Sequence, residues 1–315
     1  MESQVSTNHE NLSNAISAHA FHIAGIITVV HGLDEVKSTC KLVSCLWLLH
    51  PRLQTKESMV QVAKSCISDW NSRLLSGEIG LIAATFDQRN HGSREVDPSA
   101  NLSWRKGNEK HSIDMFRYKV NAIKKIILII ASILHGTAID ASLLMEHIGS
   151  YIFQGSNCPK INDHIILGVS LGGHSAWQVL LNEEKVSCGV VIIGCPDYIN
   201  THILKCLLII LLKGLISDRA QRSGRESAGT GFLGSLDFPM SLFSVVQKRD
   251  PRGIFFGARE VNVNPSEVEQ KSFRTLLEKK LKNKQILVCS GGDDKLVPYR
   301  CSEPFLKFLE NASTQ

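Results

Sequence analysis

Short β-branched and apolar runs alternate with helical stretches along most of this chain, and that alternation limits the fold more than any other feature. Ala24 to Val30, Leu42 to Leu49 (LVSCLWLL), Ile79 to Phe86, Ile165 to Val169, Val186 to Ile193 and Gln285 to Cys289 read as strands. Glu57 to Leu75 carries Met59, Val62, Ala63, Cys66, Ile67 and Trp70 at helical spacing. Helices are likewise expected from about Ser112 to Leu134, from Ile139 to Phe153, from Gly173 to Asn182 and from Glu303 to Leu309. Strand, helix, strand in succession needs right-handed crossovers, so the expected fold is α/β with a mostly parallel central sheet flanked by helices. Ligands of such sheets bind beyond the carboxyl ends of the strands. There the polar residues gather: His50, Asp87, Ser170, Asp197 and Asp294 each follow a predicted strand.

Composition narrows the function classes. With 315 residues, 43% hydrophobic and 21% charged, the chain suits one large core. The net charge of +5 is spread over helix-like stretches such as Lys279-Lys280-Leu281-Lys282, without interleaved aromatics, so no nucleic-acid partner is expected. Nine cysteines form no C-x-x-C pair, which argues against both a disulfide framework and a zinc ribbon. The polar start MESQVSTNHENLSNA holds no apolar signal core, and a cytoplasmic location is expected. Ile126 to Leu134 is short of the ~20 residues of a span, and Ile203 to Ile216 is broken by Lys205 and Lys213. Neither is expected to cross a membrane. Gly229 to Gly234 matches G-x-G-x-x-G formally, yet no strand precedes it and no helix follows, so a flexible loop is expected. The sequence contains no P-loop and no H-E-x-x-H. No cofactor and no metal are expected.

The stretch Ile166 to Trp177, ILGVSLGGHSAW, sets Ser170 between Gly168 and Gly172 after a strand and before a helix. A nucleophile presented on a sharp strand-to-helix turn needs small residues on either side, since side chains there would collide with the adjoining elements. Gly168, Gly172 and Gly173 meet that need, and the helix N-terminus offers the backbone N–H of Leu171 to an oxyanion. Asp294, in GGDDKLVP after the last strand, is the candidate acid that would orient a base. Asp293 and Asp197 remain alternatives.

Taken together, GVSLGG (Gly168–Gly173), FDQRNHG (Phe86–Gly92) and DKLVP (Asp294–Pro298) resemble the α/β-hydrolases of the single-domain, esterase/lipase-like kind, over roughly Gly25 to Leu309. The resemblance implies that Asp87, Arg89 and His91 brace the loop beside the active site, with Asn90 standing where the family has glycine. It also implies an oxyanion N–H from the loop after an early strand. Two candidates compete, His31-Gly32 and His50-Pro51; spacing from Asp87 favours HPRL, which makes Arg52 the second donor, with Leu53 beside it, and leaves His31-Gly32 as a turn between early strands. The resemblance further implies a base histidine beyond the acid. No histidine follows His202, and His50, His111 and His174 are left unassigned as base. The long Arg117 to Leu134 stretch and the ending ENASTQ are read as marks of a spliced or mispredicted variant of a longer enzyme.

The expectation is therefore a single α/β-hydrolase domain over 1–315 with a lid or cap insertion over 199–283. It would be a serine hydrolase acting on an ester, thioester or related acyl bond of a small, partly apolar substrate, with Ser170 and Asp294 catalytic and Leu171 and Arg52 at the oxyanion. The alternative is an inactive or truncated hydrolase fold serving as a ligand-binding or interaction module. Oligomeric state is left open.

Overall fold

A computed structural model describes residues 16–73, 77–116, 133–155, 157–198, 201–202, 211–212, 215–228, 231–257, 259, 261–262 and 265–313. The strands are β1 (Ala18–Ile23), β2 (Ile26–His31), β3 (Leu42–Leu49), β4 (Ile79–Phe86), β5 (Lys160–Val169), β6 (Val186–Ile192), the two-residue β7 (Thr201–His202) and β8 (Leu211–Leu212), and β9 (Gln285–Cys289). The main sheet runs β1-β2-β4-β3-β5-β6-β9. β1, β2 and β4 pair antiparallel, and every junction from β4 through β3, β5 and β6 to β9 is parallel. The first predicted strand is in fact one arm of a hairpin. Ala24 and Gly25, both at positive φ, turn β1 into β2, so His31-Gly32 ends a strand instead of joining two in a hairpin.

β3 shows why a central parallel strand reads as one apolar run. Val43, Cys45, Trp47 and Leu49 face the core shared with α3 (Ile133–Ile152) and α4 (Leu171–Asn182). Leu46 and Leu48 face the opposite side, where Met59, Ala63 and Ile67 come from α1 (Val60–Asn71) and the turn before it. Both faces are covered, and no polar face remains to give alternation. Trp47, the largest side chain of this core, donates its Nε1–H to Nδ1 of buried His164 at 3.0 Å.

α3 begins six residues ahead of its expected start, and α2 (His111–Phe116) is the described part of the long helix expected from Ser112. Residues 117–132, over which that helix was expected to continue and which include most of one long apolar run, lie outside the described residues. Most of the apolar run Ile203 to Ile216, namely residues 203–210 and 213–214, lies outside the described residues. Thr201–His202 pairs antiparallel with Leu211–Leu212, α5 starts at Leu215, and the residues between and after the pair lie outside the described set. No helix among the described residues is long and apolar enough to cross a membrane.

Over the carboxyl ends of the strands sits a second apolar layer. Leu215, Ile216 and Ala220 of α5 (Leu215–Arg222), Phe232, Phe238, and Leu242 and Val246 of α6 (Met240–Arg249) pack with Trp104, Leu171 and Tyr198. The described part of the glycine-rich segment, residues 231–234, is anchored and not loose: Phe232 is fully buried against Phe238, ring centroids 5.3 Å apart. A cluster of phenylalanines (Phe255, Phe256, Phe273, Phe305, Phe308) joins α7 (Pro251–Phe256), α8 (Glu267–Leu281) and α9 (Tyr299–Ser313) beside β9.

Candidate active site

β5 ends at Val169 and α4 begins at Leu171, which leaves Ser170 alone to reverse the chain. It does so at φ 54°, ψ −109°, a conformation that costs a non-glycine residue roughly 1–3 kcal/mol and persists only where the surroundings enforce it. Backbone bonds enforce it here: Ser170 N–H donates to the Ile192 carbonyl at 2.8 Å, and its own carbonyl accepts from His174 N–H at 3.0 Å. The flanking glycines are required by close approach. A Cβ on Gly168 would lie 2.1 Å from the Gly172 oxygen, one on Gly172 2.2 Å from the Leu49 oxygen, and one on Gly173 2.9 Å from the Ile192 oxygen. Those contacts wedge the start of α4 between the ends of β3 and β6.

Because Gly172 touches the end of β3, the chain leaving that strand runs past Ser170. This chain is His50-Pro51-Arg52, and Arg52 lines the same cavity as Ser170 and Leu171. His50 holds the loop: its Nδ1–H donates to the Pro51 carbonyl at 2.8 Å, and its Nε2 accepts from Gln88 N–H at 3.0 Å. The Gln88 amide returns a bond to the His50 carbonyl. Full burial above all keeps this ring neutral, with its pKa pushed down to about 4. His31, by contrast, bonds Thr85 and lies off the cavity.

The DQRNHG loop is a brace. Buried Asp87 accepts from the Lys56 and Ser93 N–H groups, the Ser93 hydroxyl and the Lys56 ammonium, all within 3.0 Å. Burial pushes its pKa upward, but these bonds outweigh it and hold the carboxyl at about 2. Arg89 grips Asp140 of α3 with two nitrogens at 2.8 and 2.7 Å, and Arg94 adds a third contact at 2.8 Å. Gly136 makes room for this, since a Cβ there would sit 2.4 Å from Arg89 Cδ. Asn90, at φ 60°, donates to the Asp97 carbonyl and to Asn101.

The cavity at Ser170 is small, about 90 Å³, and is lined among others by Arg52, His111, His174, Tyr198 and Arg219. His111 donates Nδ1–H to the Leu102 carbonyl at 2.9 Å, which leaves Nε2 as a buried lone pair without a partner. His174 has the opposite tautomer. Its Nδ1 accepts from Cys195 N–H at 2.9 Å, so Nε2 carries the hydrogen and is likewise unpartnered. Burial, followed by the positive charges of Arg219 and Arg52, pushes both rings down to about 3. Both are neutral near pH 7.

Ser170, Leu171 and Arg52 line one cavity, and Asp294 is not among its lining residues. It lies on the loop after β9, where Oδ1 accepts from Leu296 and Val297 N–H at 2.7 and 2.9 Å, while Leu296 reaches the cavity. Asp197 is fully buried with neither carboxyl oxygen bonded. Burial raises its pKa to about 7 against the pull of Arg252, and the neighbouring Asp250 is raised too, by burial and by the Asp197 charge. Two carboxyls in one dry site favour the protonated form of one of them.

A mostly parallel sheet in this strand order, with a strained serine between its fifth strand and the following helix, decides the fold. It is that of the α/β-hydrolases. No family model matches the sequence, and no curated protein matches it. Solved hydrolases resemble the structure at low identity. A Pyrococcus furiosus esterase is 13% identical with a TM-score of 0.45, covering 100% of this chain and 83% of its own. An acylaminoacyl peptidase from Pyrococcus horikoshii is 11% identical with a TM-score of 0.48, covering 97% of this chain and 36% of its own. The assignment of the α/β-hydrolase fold rests on strand order and elbow.

Within this hydrolase fold, Arg219, Tyr198, Gln88 and Asp140 are the site and support residues that sequence reasoning missed. Gln88 sat inside the quoted DQRNHG motif and was the one a motif could have flagged. Arg219 reaches the cavity from α5 and carries no local signal.

Proposed function

We propose that the protein is a serine hydrolase cleaving an ester, thioester or related acyl bond of a small, partly apolar substrate. The observation that carries this is the enforced backbone of Ser170, which a structural bend would avoid by using glycine. Ser170 Oγ attacks the acyl carbon, and the N–H groups of Leu171 and Arg52 hold the oxyanion. The hydroxyl proton passes to His111 Nε2, whose lone pair is free, and then to the leaving group, which departs as alcohol or thiol. Water repeats the sequence to release the acid. His174 offers only an N–H to the cavity and is a donor in this scheme. Asp294 acts through the loop, fixing the turn that brings Leu296 to the site. The apolar layer of α5, α6 and the Phe232–Phe238 turn serves as the lid, within an insertion spanning 199–283.

No carboxylate stands behind His111; a backbone carbonyl occupies that place. A base held near pKa 3 takes a proton reluctantly, so turnover is slow. The same observation favours the second reading, an inactive fold that binds a ligand at this cavity. A fluorophosphonate probe separates the two. Labelling that disappears in Ser170→Ala and slows in His111→Gln supports the hydrolase. Absence of labelling in folded protein selects the binding module.

A further inference from the structure

Two guanidinium groups face the Ser170 cavity without an ion-pair partner. Arg52 Nη1 is buried and bonds nothing. Arg219 donates Nε–H to the Leu296 carbonyl at 3.3 Å. Neither arginine is ion-paired among the described residues. Their neighbour Arg222 shows the ordinary arrangement, since it pairs with Asp218. The two charges reinforce one another: burial, then repulsion from Arg219, makes the Arg52 proton easier to lose than usual, and both arginines depress His111 and His174. Arg52 is half-buried with one guanidinium nitrogen out of reach of water, and a charge placed so is costly unless something else neutralises it. His174 Nε2–H, a further unpartnered donor, lines the same space.

We infer that this cavity binds a small carboxylate, so that the substrate is a short acyl group ending in a carboxylate, held by the Arg52 and Arg219 guanidiniums and the His174 Nε2–H. A volume of about 90 Å³ admits a carboxylate and a few carbons. The planar guanidinium matches a carboxylate bidentately. The binding step needs no covalent chemistry, and only its link to an acyl substrate rests on the hydrolase reading.

The test uses monomethyl succinate against its neutral counterpart dimethyl succinate, titrated calorimetrically into wild-type and Ser170→Ala protein. The monoanion is expected to bind both proteins alike, and the neutral diester at least about tenfold more weakly. Arg52→Gln and Arg219→Gln each keep the backbone N–H and are expected to lose about tenfold or more in affinity, with Arg52→Lys recovering part. Circular dichroism shows that each variant is folded. Equal binding of both esters, no binding of the monoanion to wild type, or unchanged affinity in the glutamine variants overturns the assignment. Tighter binding of inorganic phosphate than of monomethyl succinate overturns the carboxylate in favour of a phosphate ester. If fluorophosphonate fails to label Ser170 while the monoanion still binds, the hydrolase reading falls and the anion site stands.

Discussion

Gly172 lies against the carbonyl of Leu49 so closely that a methyl group on its α-carbon would sit 2.2 Å from the oxygen. Backbone against backbone leaves no flexible side-chain end to swing aside. Gly172→Ala is therefore expected to lower stability by about 3 kcal/mol or to prevent folding. Urea denaturation of the variant checks this; a change under about 1 kcal/mol would show that the elbow has slack.

Ser170→Gly should act in the opposite sense. Glycine adopts φ 54°, ψ −109° without the Cβ penalty, so the variant is expected to gain about 1 kcal/mol while losing reaction with fluorophosphonate. A destabilised variant would mean that the hydroxyl contributes to the fold and that the backbone strain is unimportant.

Acid sensitivity should begin well above the carboxylate range. His50 and His164 are pushed down to about 4, and His111 and His174 to about 3, in each case first by burial. A histidine whose folded pKa lies below its unfolded value of about 6.5 contributes stability that is present above pH 6.5 and lost as pH falls toward 4 or 3. His164→Gln keeps an acceptor for Trp47 Nε1–H and removes one titrating group. Between pH 6 and 4.5 the stability of this variant should fall less steeply than that of wild type, by about 1.4 kcal/mol per pH unit. Identical slopes by urea denaturation would place the His164 proton elsewhere.

Asp197 titrates with the reverse sign. Its carboxyl is raised to about 7 by burial, so the stability it confers is complete below its unfolded value, near pH 4, and declines as pH rises through 7. Asp197→Asn should be more stable than wild type at pH 8 and should retain fluorophosphonate labelling. Loss of labelling in the folded variant would make Asp197 the acid behind a histidine.

Strands were legible where burial on both faces produces unbroken apolar runs, as in Leu42–Leu49, and where a turn residue ends them. The β1–β2 hairpin was not, because Ala24-Gly25 lies inside a run that stays apolar across the turn. The elbow could be read because its demands are local: glycines within three residues of Ser170. The cavity could not. His111, Tyr198 and Arg219 are joined only by packing of separate helices and loops over the sheet, and no spacing along the chain encodes that meeting. The depression of His111 and His174, by burial and then by Arg219 and Arg52 from separate elements, is of the same kind.

The three glycine contacts at Gly168, Gly172 and Gly173 have a mechanical consequence. They bolt α4 to the ends of β3 and β6, so Ser170 and Leu171 form a stationary floor. The proposed nucleophile is thus fixed to the sheet, while Arg219, to which we assign recognition of the ligand, stands on a helix across the cavity.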